Sequence, residues 1–237
     1  MTVGDTNSRD GTSGAGRDGT PGAGTADQRR AQMLDAALDI IAERGYADTR
    51  IADVAERAGV SPALVIYYYK TKDQLLTEAI RHYEDAWYAI GHDRIATLPT
   101  AAARLEEYVA MTCLADAGPK RNDSWQLWLE FWTQAARNNA IASIRRASNE
   151  RWRDAIASLV RLGQDAGDFS DVDAASFAIH LCALLDGLTV PLALGDPVVD
   201  GTRAFELTMH MVADQLGFTW QPGRARSRRD PAATFDA

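Results

Sequence analysis

The chain has 237 residues, of which 46% are hydrophobic and 24% charged, a length that suits one or two domains with a buried core. Its 25 Lys and Arg against 33 Asp and Glu give a net charge of −8. This balance excludes a protein coated in nucleic acid, but it permits DNA binding if a few cations share one face.

The remaining composition favours an intracellular protein. The two cysteines, Cys113 and Cys182, lie in apolar helical contexts, which predicts buried thiols in a reducing cytoplasm and neither a disulfide framework nor a metal site. The polar N-terminus predicts no signal peptide, and we expect no apolar run of about 18 residues that could span a membrane. We therefore expect a cytoplasmic protein.

The two ends of the chain have the composition of disordered segments. Residues 1–26 and 222–237 are poor in large apolar side chains, which predicts an N-terminal arm and a C-terminal tail. The arm contains Gly14-Ala-Gly16-Arg-Asp-Gly19, but no predicted strand precedes this motif and no predicted helix follows it. We therefore assign no dinucleotide site to it.

The first two predicted helices follow the arm. Apolar residues at helical spacing indicate a helix from Asp27 to Gly45. We expect Thr49 to cap a second helix, because an i, i+3, i+4, i+7 apolar stripe begins at Ile51. Gly59 should end it, since glycine readily adopts the positive φ that a helix end requires.

A third helix completes a helix-turn-helix pattern. Ser61 is a good cap, and Pro62 falls in the first turn, where its missing N–H costs nothing. Ala55 is small enough for the two helices to cross closely, and Val65 should fill the angle between them. An ordinary αα-corner shares this spacing, so the pattern alone leaves both interpretations open.

The outward face of the third helix favours DNA. Pro62, Ala63, Tyr67 and Tyr68 make it compact, with hydroxyls and few long charges, as a helix that enters a major groove requires. Lys72 follows at the start of the next helix, where a cation can hold phosphate.

The fourth helix should connect the helix-turn-helix to the rest of the chain. Thr71 and Gln74 form a capping box, and the apolar pattern continues to Ile90. We place the domain boundary at Gly91, which gives a DNA-binding domain over 27–91 and a second domain over 92–221.

The second domain is predicted to be helical throughout. Gly, Pro and Asn punctuate its apolar pattern. The candidate helices are Ala101–Leu114, Ser124–Arg137, Ala140–Gly167, Asp171–Leu194 and Thr202–Leu216.

Three indoles share one helix face at Trp125, Trp128 and Trp132. They could belong simply to the core, or they could line a pocket for a flat or cationic ligand. Under the second interpretation, the candidate ligand-binding residues are Met111, Trp128, Trp132, Trp152, Phe177 and His180.

The Asp171–Leu194 helix is apolar around most of its circumference, so it must be covered on both sides. A pair of helices from each of two subunits would cover it, and a central position in a single subunit is the alternative. The candidate dimer-interface residues are Leu181, Leu184, Gly187, Leu188, Phe205, Met209 and Val212.

The chain also resembles a known family. Residues 27–91 look like the N-terminal domain of the TetR/AcrR transcriptional regulators, with Ile66 and Tyr69 as departures from the usual Tyr and Phe. The matching motifs are Arg30–Ala37–Gly45, Thr49-Arg50-Ile51, Ala55-x3-Gly59-Val60-Ser61, Tyr68-Tyr69 and Lys72-Asp73-x-Leu75-Leu76.

Residues 101–217 resemble the choline-responsive, BetI-like subgroup of that family. The motifs, in the subgroup's order, are Trp128-x2-Phe131-Trp132, Asn138-Asn139, Arg151-Trp152-Arg153, Gly163-x3-Gly167-Asp-Phe169 and Leu185-Asp186-Gly187-Leu188. The resemblance implies dimerisation through the last two helices and suggests a quaternary amine as effector, while lipophilic drugs, acyl thioesters and bacterial signals stay open as alternatives. It also implies that Arg50 reaches a guanine edge or phosphate while Tyr67, Tyr68 and Lys72 hold the DNA backbone.

The sequence therefore predicts an all-α protein with an N-terminal three-helix helix-turn-helix domain and a C-terminal helical ligand-binding and dimerisation domain. The expected function is a homodimeric repressor that a small molecule releases from operator DNA. The expected DNA contacts are Thr49, Arg50, Ser61, Pro62, Ala63, Leu64, Tyr67, Tyr68 and Lys72. A helical binding module without DNA contact is the alternative. We expect no enzyme, cofactor or metal, because the chain carries no catalytic or metal-binding motif.

Overall fold

The structure is a computed structural model that describes residues 23–114 and 124–222. Over these two ranges it contains nine α-helices and no strand, which confirms the all-α prediction. The helices are α1 (Ala23–Asp48), α2 (Ile51–Arg57), α3 (Pro62–Tyr69), α4 (Lys72–Ala96), α5 (Ala101–Cys113), α6 (Ser124–Ala135), α7 (Asn139–Asp165), α8 (Ala174–Ala193) and α9 (Gly201–Leu216). Most of the predicted arm and tail lies outside the described residues, although residues 23–26 belong to α1.

Two glycines shape the predicted helix-turn-helix unit. Gly45 (φ 78°, ψ 163°) interrupts α1 near its predicted end. Gly59 follows Ala58, the C-cap residue of α2, and has φ 65°. Its N–H donates to the carbonyl of Glu56 at 3.1 Å, and the N–H of Val60 donates to the carbonyl of Ala55 at 2.9 Å. This pair of bonds is a Schellman motif, so the predicted end of α2 is confirmed.

Side-chain caps begin the next two helices. The Ser61 hydroxyl accepts from the N–H of Leu64 at 3.3 Å, and Pro62 opens α3, as predicted. The Thr71 hydroxyl accepts from the N–H of Gln74 at 3.1 Å and begins α4. These bonds fix where α3 and α4 start relative to each other.

α4 is longer than predicted, because it continues through Gly91 to Ala96. Gly91 is buried, and a Cβ atom there would lie 3.0 Å from Cε of Met111. The glycine permits a close approach between α4 and α5, so it marks a packing contact and not a helix end.

The C-terminal helices agree with their predicted positions to within three residues. α8 reaches a mean hydropathy of 1.6 over 18 residues. By length and composition it could therefore cross a membrane, and the expectation that no such run exists is wrong. Its packing against α7 and α9 provides another reason for the apolar composition.

Two apolar cores result. The C-terminal core is built from α5, α7, α8 and α9 and contains both cysteines. They are free buried thiols, as predicted, and burial raises the pKa of each to about 12. The N-terminal core joins α1–α4 and also takes Leu127, Phe131 and Ile141 from α6 and α7. The two halves of the chain therefore share one of their cores across the predicted boundary.

Candidate DNA-binding interface and effector region

The predicted DNA-binding surface is the outward face of α3. Val65 and Tyr69 are buried on the opposite face, where Val65 contributes to the N-terminal core with Val54 and Ala55. The outward face carries Ala63 and Tyr67, and 67% of the Tyr67 surface is exposed. The α2–α3 unit is thus anchored from behind and presents a compact front, as the sequence predicted.

The predicted DNA contacts differ in how far they reach solvent. Arg50, Ser61, Pro62, Ala63 and Tyr67 are exposed. Leu64, Tyr68 and Lys72 are half-buried, and Thr49 is buried. None of the ion pairs in the described part of the chain involves Arg50, so its guanidinium is available to a ligand.

Thr49 does not cap α2, so that prediction is wrong. Its side chain is only 3% exposed, and its hydroxyl donates to the carbonyl of Gly45 at 2.8 Å. Arg50 occupies the cap position in an extended conformation without a side-chain cap. Gly45 interrupts α1 and leaves its carbonyl open, which is why the Thr49 hydroxyl turns inward.

Lys72 also faces the protein. Its ammonium donates to the carbonyls of Tyr46 at 2.6 Å, Ala47 at 3.1 Å and Thr49 at 2.9 Å. It lies 4.3 Å from the centre of the Tyr46 ring. Because an ammonium has three N–H donors, these bonds occupy all of them. In this arrangement Lys72 secures the turn that presents Arg50, and its phosphate contact stays a prediction.

The sequence interpretation missed Ile66. It lies beside Tyr67 on the outward face of α3, and 48% of its surface is exposed. Ile66 follows Pro62 by four residues and Ala63 by three, so helical spacing alone places it on the predicted face.

The six predicted ligand-binding residues lie in different surroundings. Trp128 and Trp132 pack half-buried against the N-terminal core. Trp152 and Phe177 belong to the C-terminal core. Met111 is buried against Gly91, and His180 is exposed on α8. Trp132 also lies 4.9 Å under the guanidinium of Arg145, while the side chain of Trp125 lies outside the described residues.

A different set of aromatic residues does come together between α4 and α5. The Trp87 ring makes edge contacts with Tyr88 at 5.0 Å and with Tyr108 at 5.4 Å. Glu84 lies one turn before Tyr88, and desolvation raises the pKa of its carboxyl despite the hydrogen bond with Ser148. Arg151 lies 3.8 Å over the Tyr88 ring and pairs with Asp85 at 2.7 Å. The spacing of Glu84, Trp87 and Tyr88 was the sequence signal for this group.

The predicted dimer residues are mostly inside the subunit. Leu181, Met209, Val212 and Phe205 are buried in the C-terminal core of the subunit, and their assignment to a dimer interface stays a prediction. Leu184 and Leu188 are half-buried, and Gly187 is exposed. Sequence periodicity identified the buried seam of α8 and α9, but the surface of the subunit is on the other side of each helix.

The exposed side of α8 carries its own apolar stripe. It is formed by Ile179, Ala183, Gly187, Val190 and Leu194. These residues are spaced by three or four positions, so they lie along one face. A Cβ atom at Gly187 would meet nothing within 4 Å, and this stripe is therefore open along its middle.

Comparison with known proteins agrees with this arrangement. Residues 33–79 match the family model described as bacterial regulatory proteins, tetR family. Residues 101–217 match the model described as BetI-type transcriptional repressor, C-terminal. The first match covers the α2–α3 unit and the second covers α5 to α9.

Relatives match over most of their length. The HTH-type transcriptional regulator BetI of Burkholderia mallei is 32% identical over 194 residues, which cover 81% of this chain and 95% of the relative. BetI of Escherichia coli K12 is 28% identical over 188 residues, with coverages of 79% and 94%.

A solved structure shows the same fold. A transcriptional regulator from Saccharomonospora viridis in complex with choline superposes with a TM-score of 0.71 and is 29% identical, with coverage of 80% of this chain and 98% of that one. Together, the anchored α2–α3 unit, the two family matches and the relatives establish that this chain belongs to the TetR family and is a DNA-binding transcriptional regulator with a C-terminal half of the BetI repressor type.

Proposed function

We propose that the protein is a homodimeric cytoplasmic repressor that inserts α3 of each subunit into successive major grooves of an operator. The observation that carries this proposal is the outward face of α3, which is compact, exposed and anchored by the buried Val65. Two such helices related by a twofold axis fit a near-palindromic site.

The operator contacts divide into two groups. Ala63 and Tyr67 lie on the α3 face that would meet base edges. Arg50, Ser61 and Pro62 are exposed at the starts of α2 and α3, where a guanidinium and free backbone N–H groups would hold phosphates. Leu64 and Tyr68 would flank the α3 face, while Thr49 and Lys72 act indirectly by holding the turn before α2.

The dimer would form through the exposed stripe of α8. Ala183 and Gly187 have little or no side chain, so the α8 helices of two subunits could approach closely at this point. Ile179 and Val190 would add apolar contact on either side. The residues buried beneath the stripe support it but do not cross the interface.

The effector would be a small organic cation such as choline. The support is the choline complex of the Saccharomonospora viridis regulator, together with the Trp87 and Tyr108 rings, of which Trp87 follows Glu84 by one turn of α4. Aromatic faces and a desolvated carboxylate favour a cation. Such a ligand would release DNA only by binding the DNA-incompetent state more tightly.

The test is selection of a DNA sequence by the purified protein from a random pool, followed by mobility-shift titration. Tyr67→Ala should weaken binding of the selected operator by about tenfold or more, because the ring and hydroxyl on the α3 face are lost. Tyr67→Phe is the matched control that retains the ring. Circular dichroism and sedimentation should be unchanged in both variants.

Choline in the millimolar range should release the operator from the wild-type protein. Failure to select any sequence would contradict the proposed function and favour a helical module that acts without DNA. Selection without release by choline would contradict only the proposed effector class.

A further inference from the structure

One carboxylate connects the two halves of the molecule. Asp73 lies in the first turn of α4, and its Oδ1 accepts a hydrogen bond from the hydroxyl of Tyr46 in α1. Its Oδ2 accepts from the side-chain amide of Asn138 at 2.7 Å. Asn138 precedes α7, 65 residues further along the chain.

The orientation of the Asn138 amide is fixed by its second role. Asn138 caps α7, and its Oδ1 accepts from the N–H groups of Ala140 at 3.0 Å and Ile141 at 3.4 Å. Because the oxygen faces these donors, the NH₂ group must face Asp73. The cap of α7 therefore orients the Asn138 NH₂ group toward Asp73 in the DNA-binding unit.

Tyr46 connects the Asn138–Asp73 hydrogen bond to the turn before α2. Asp73 holds the Tyr46 hydroxyl, while Lys72 holds the Tyr46 carbonyl and lies over its ring. Lys72 also binds the carbonyl of Thr49, immediately before Arg50. A continuous set of hydrogen bonds therefore runs from the start of α7 to the start of α2.

Other polar contacts in the described part of the chain join α4 to α7 further along α4, where Arg151 pairs with Asp85 at 2.7 Å and Glu84 bonds to Ser148. The Asn138–Asp73 bond differs from them because it lies in the first turn of α4, beside the turn before α2. Ile141, three residues after Asn138, is buried in the N-terminal core with Phe131 and Leu127. Apolar packing of this kind is non-directional and tolerates sliding. A hydrogen bond to a charged group is directional and stronger than a neutral one, so it can fix an angle that apolar packing does not.

We propose that the Asn138–Asp73 hydrogen bond sets the orientation of the DNA-binding unit relative to the C-terminal half, and with it the separation of the two recognition helices in the operator-bound dimer. Asn138 and Asp73 are positioning residues that touch no DNA. This inference rests on the proposed function, because it assumes a dimer that reads two half-sites at a fixed spacing.

The decisive variant is Asn138→Asp. A carboxylate at 138 still caps α7, because Asp and Asn are equally good at this position. It cannot donate, however, and it places a second negative charge against Asp73. Operator affinity should fall by on the order of tenfold, the equivalent of one charge-assisted hydrogen bond.

The exchange Asn138→Asp with Asp73→Asn should restore binding. The amide at 73 would donate to the carboxylate at 138, and its oxygen would still accept from Tyr46. The matched control is Asn139→Asp, which adds the same charge at the exposed neighbouring position. It should leave operator affinity unchanged.

A second readout separates positioning from mere stability. The selected operator is compared with a version that carries one extra base pair between its half-sites. The wild-type protein and the exchanged double variant should discriminate strongly between the two operators, whereas Asn138→Asp should discriminate weakly because its DNA-binding units are less fixed. Thermal unfolding and sedimentation are measured for every variant.

Three results would overturn the inference while the proposed function stands. Asn138→Asp could retain wild-type affinity and spacing preference, the exchange could fail to restore them, or Asn138→Asp could lose its fold while the exchange keeps it, which would make the bond purely structural. If the wild-type protein selects no operator at all, the proposed function fails first and the inference fails with it.

Discussion

Ile66 is an aliphatic side chain that is exposed to solvent. Nearly half of its surface is exposed on the outward face of α3, although burying an aliphatic side chain of this size is worth about 1.5–3 kcal/mol. In the major groove, the thymine methyl group is an apolar feature on an otherwise polar base edge. Ile66 is therefore suited to recognise thymine.

We expect replacement of one symmetry-related thymine pair in the selected operator by deoxyuridine to weaken wild-type binding by about fourfold per site, which corresponds to one lost methyl contact. Ile66→Ala should bind both operators with similar affinity, because it has no side chain long enough to reach the methyl. Titration by fluorescence anisotropy measures both. If uracil has no effect at any thymine, Ile66 does not read this group.

The residues around α3 also show which contacts can be predicted from the sequence and which cannot. The Ser61 cap and the Gly59 turn were predictable because their partners lie within five residues in the chain. The bonds of Lys72 were not, since its carbonyl partners lie 23 to 26 residues earlier. Local spacing places Lys72 near the predicted DNA surface. It does not show that backbone carbonyls of the protein already accept hydrogen bonds from all three N–H groups of its ammonium.

At the scale of elements, the close contact between the end of α7 and the segment after it depends on a missing side chain. A Cβ atom at Gly163 would lie 2.1 Å from Cδ2 of Phe169. The Phe169 ring is buried and stacks on Phe218 at 5.4 Å, so it cannot simply swing away. The glycine therefore determines how the chain packs after α7.

We predict that Gly163→Ala lowers the free energy of unfolding by about 1–3 kcal/mol, because overpacking displaces a buried ring. The same substitution in a Phe169→Leu background should cost clearly less, since the narrower side chain leaves room for the methyl. Urea unfolding followed by circular dichroism provides the comparison. Equal costs in both backgrounds would show that the ring is not the obstacle.

The helices themselves were largely predictable, because capping residues and apolar periodicity act within a few turns. The exception at α4 is instructive. A glycine after a long helix resembles a helix end, yet Gly91 serves the contact with Met111. The sequence shows the small residue at 91, but it does not show that Met111 packs against that position.

At the scale of the whole molecule, the exposed stripe of α8 is the surface through which we propose that two subunits associate. Leu194 is 74% exposed, and Ile179 and Val190 extend the apolar surface along the helix. Apolar periodicity identified α8 as covered on both sides, but it could not distinguish the side that faces α7 and α9 from the side that remains outside. The buried and the exposed faces of α8 both consist mainly of apolar side chains.

We expect Gly187→Arg to convert the dimer to monomers, because bulky like charges would meet across the twofold axis at the point of closest approach. The subunit fold should be unaffected, since the space around Gly187 is open. Sedimentation equilibrium and circular dichroism measure the two effects, and operator affinity should fall with dimerisation. Ala147→Arg, at an exposed position of α7, is the control, and dissociation in both variants would argue against this interface.

The shared N-terminal core has a practical consequence for anyone who exchanges operator specificities between regulators. A chimera that takes only residues up to about 91 from this chain would include the DNA-binding unit without Leu127, Phe131 and Ile141. The N-terminal core would then contain cavities where these three side chains normally pack. A working chimera must bring these three side chains along or find substitutes of matching shape in the recipient. The DNA-binding unit of this protein is therefore not an independent module, because part of its core comes from α6 and α7.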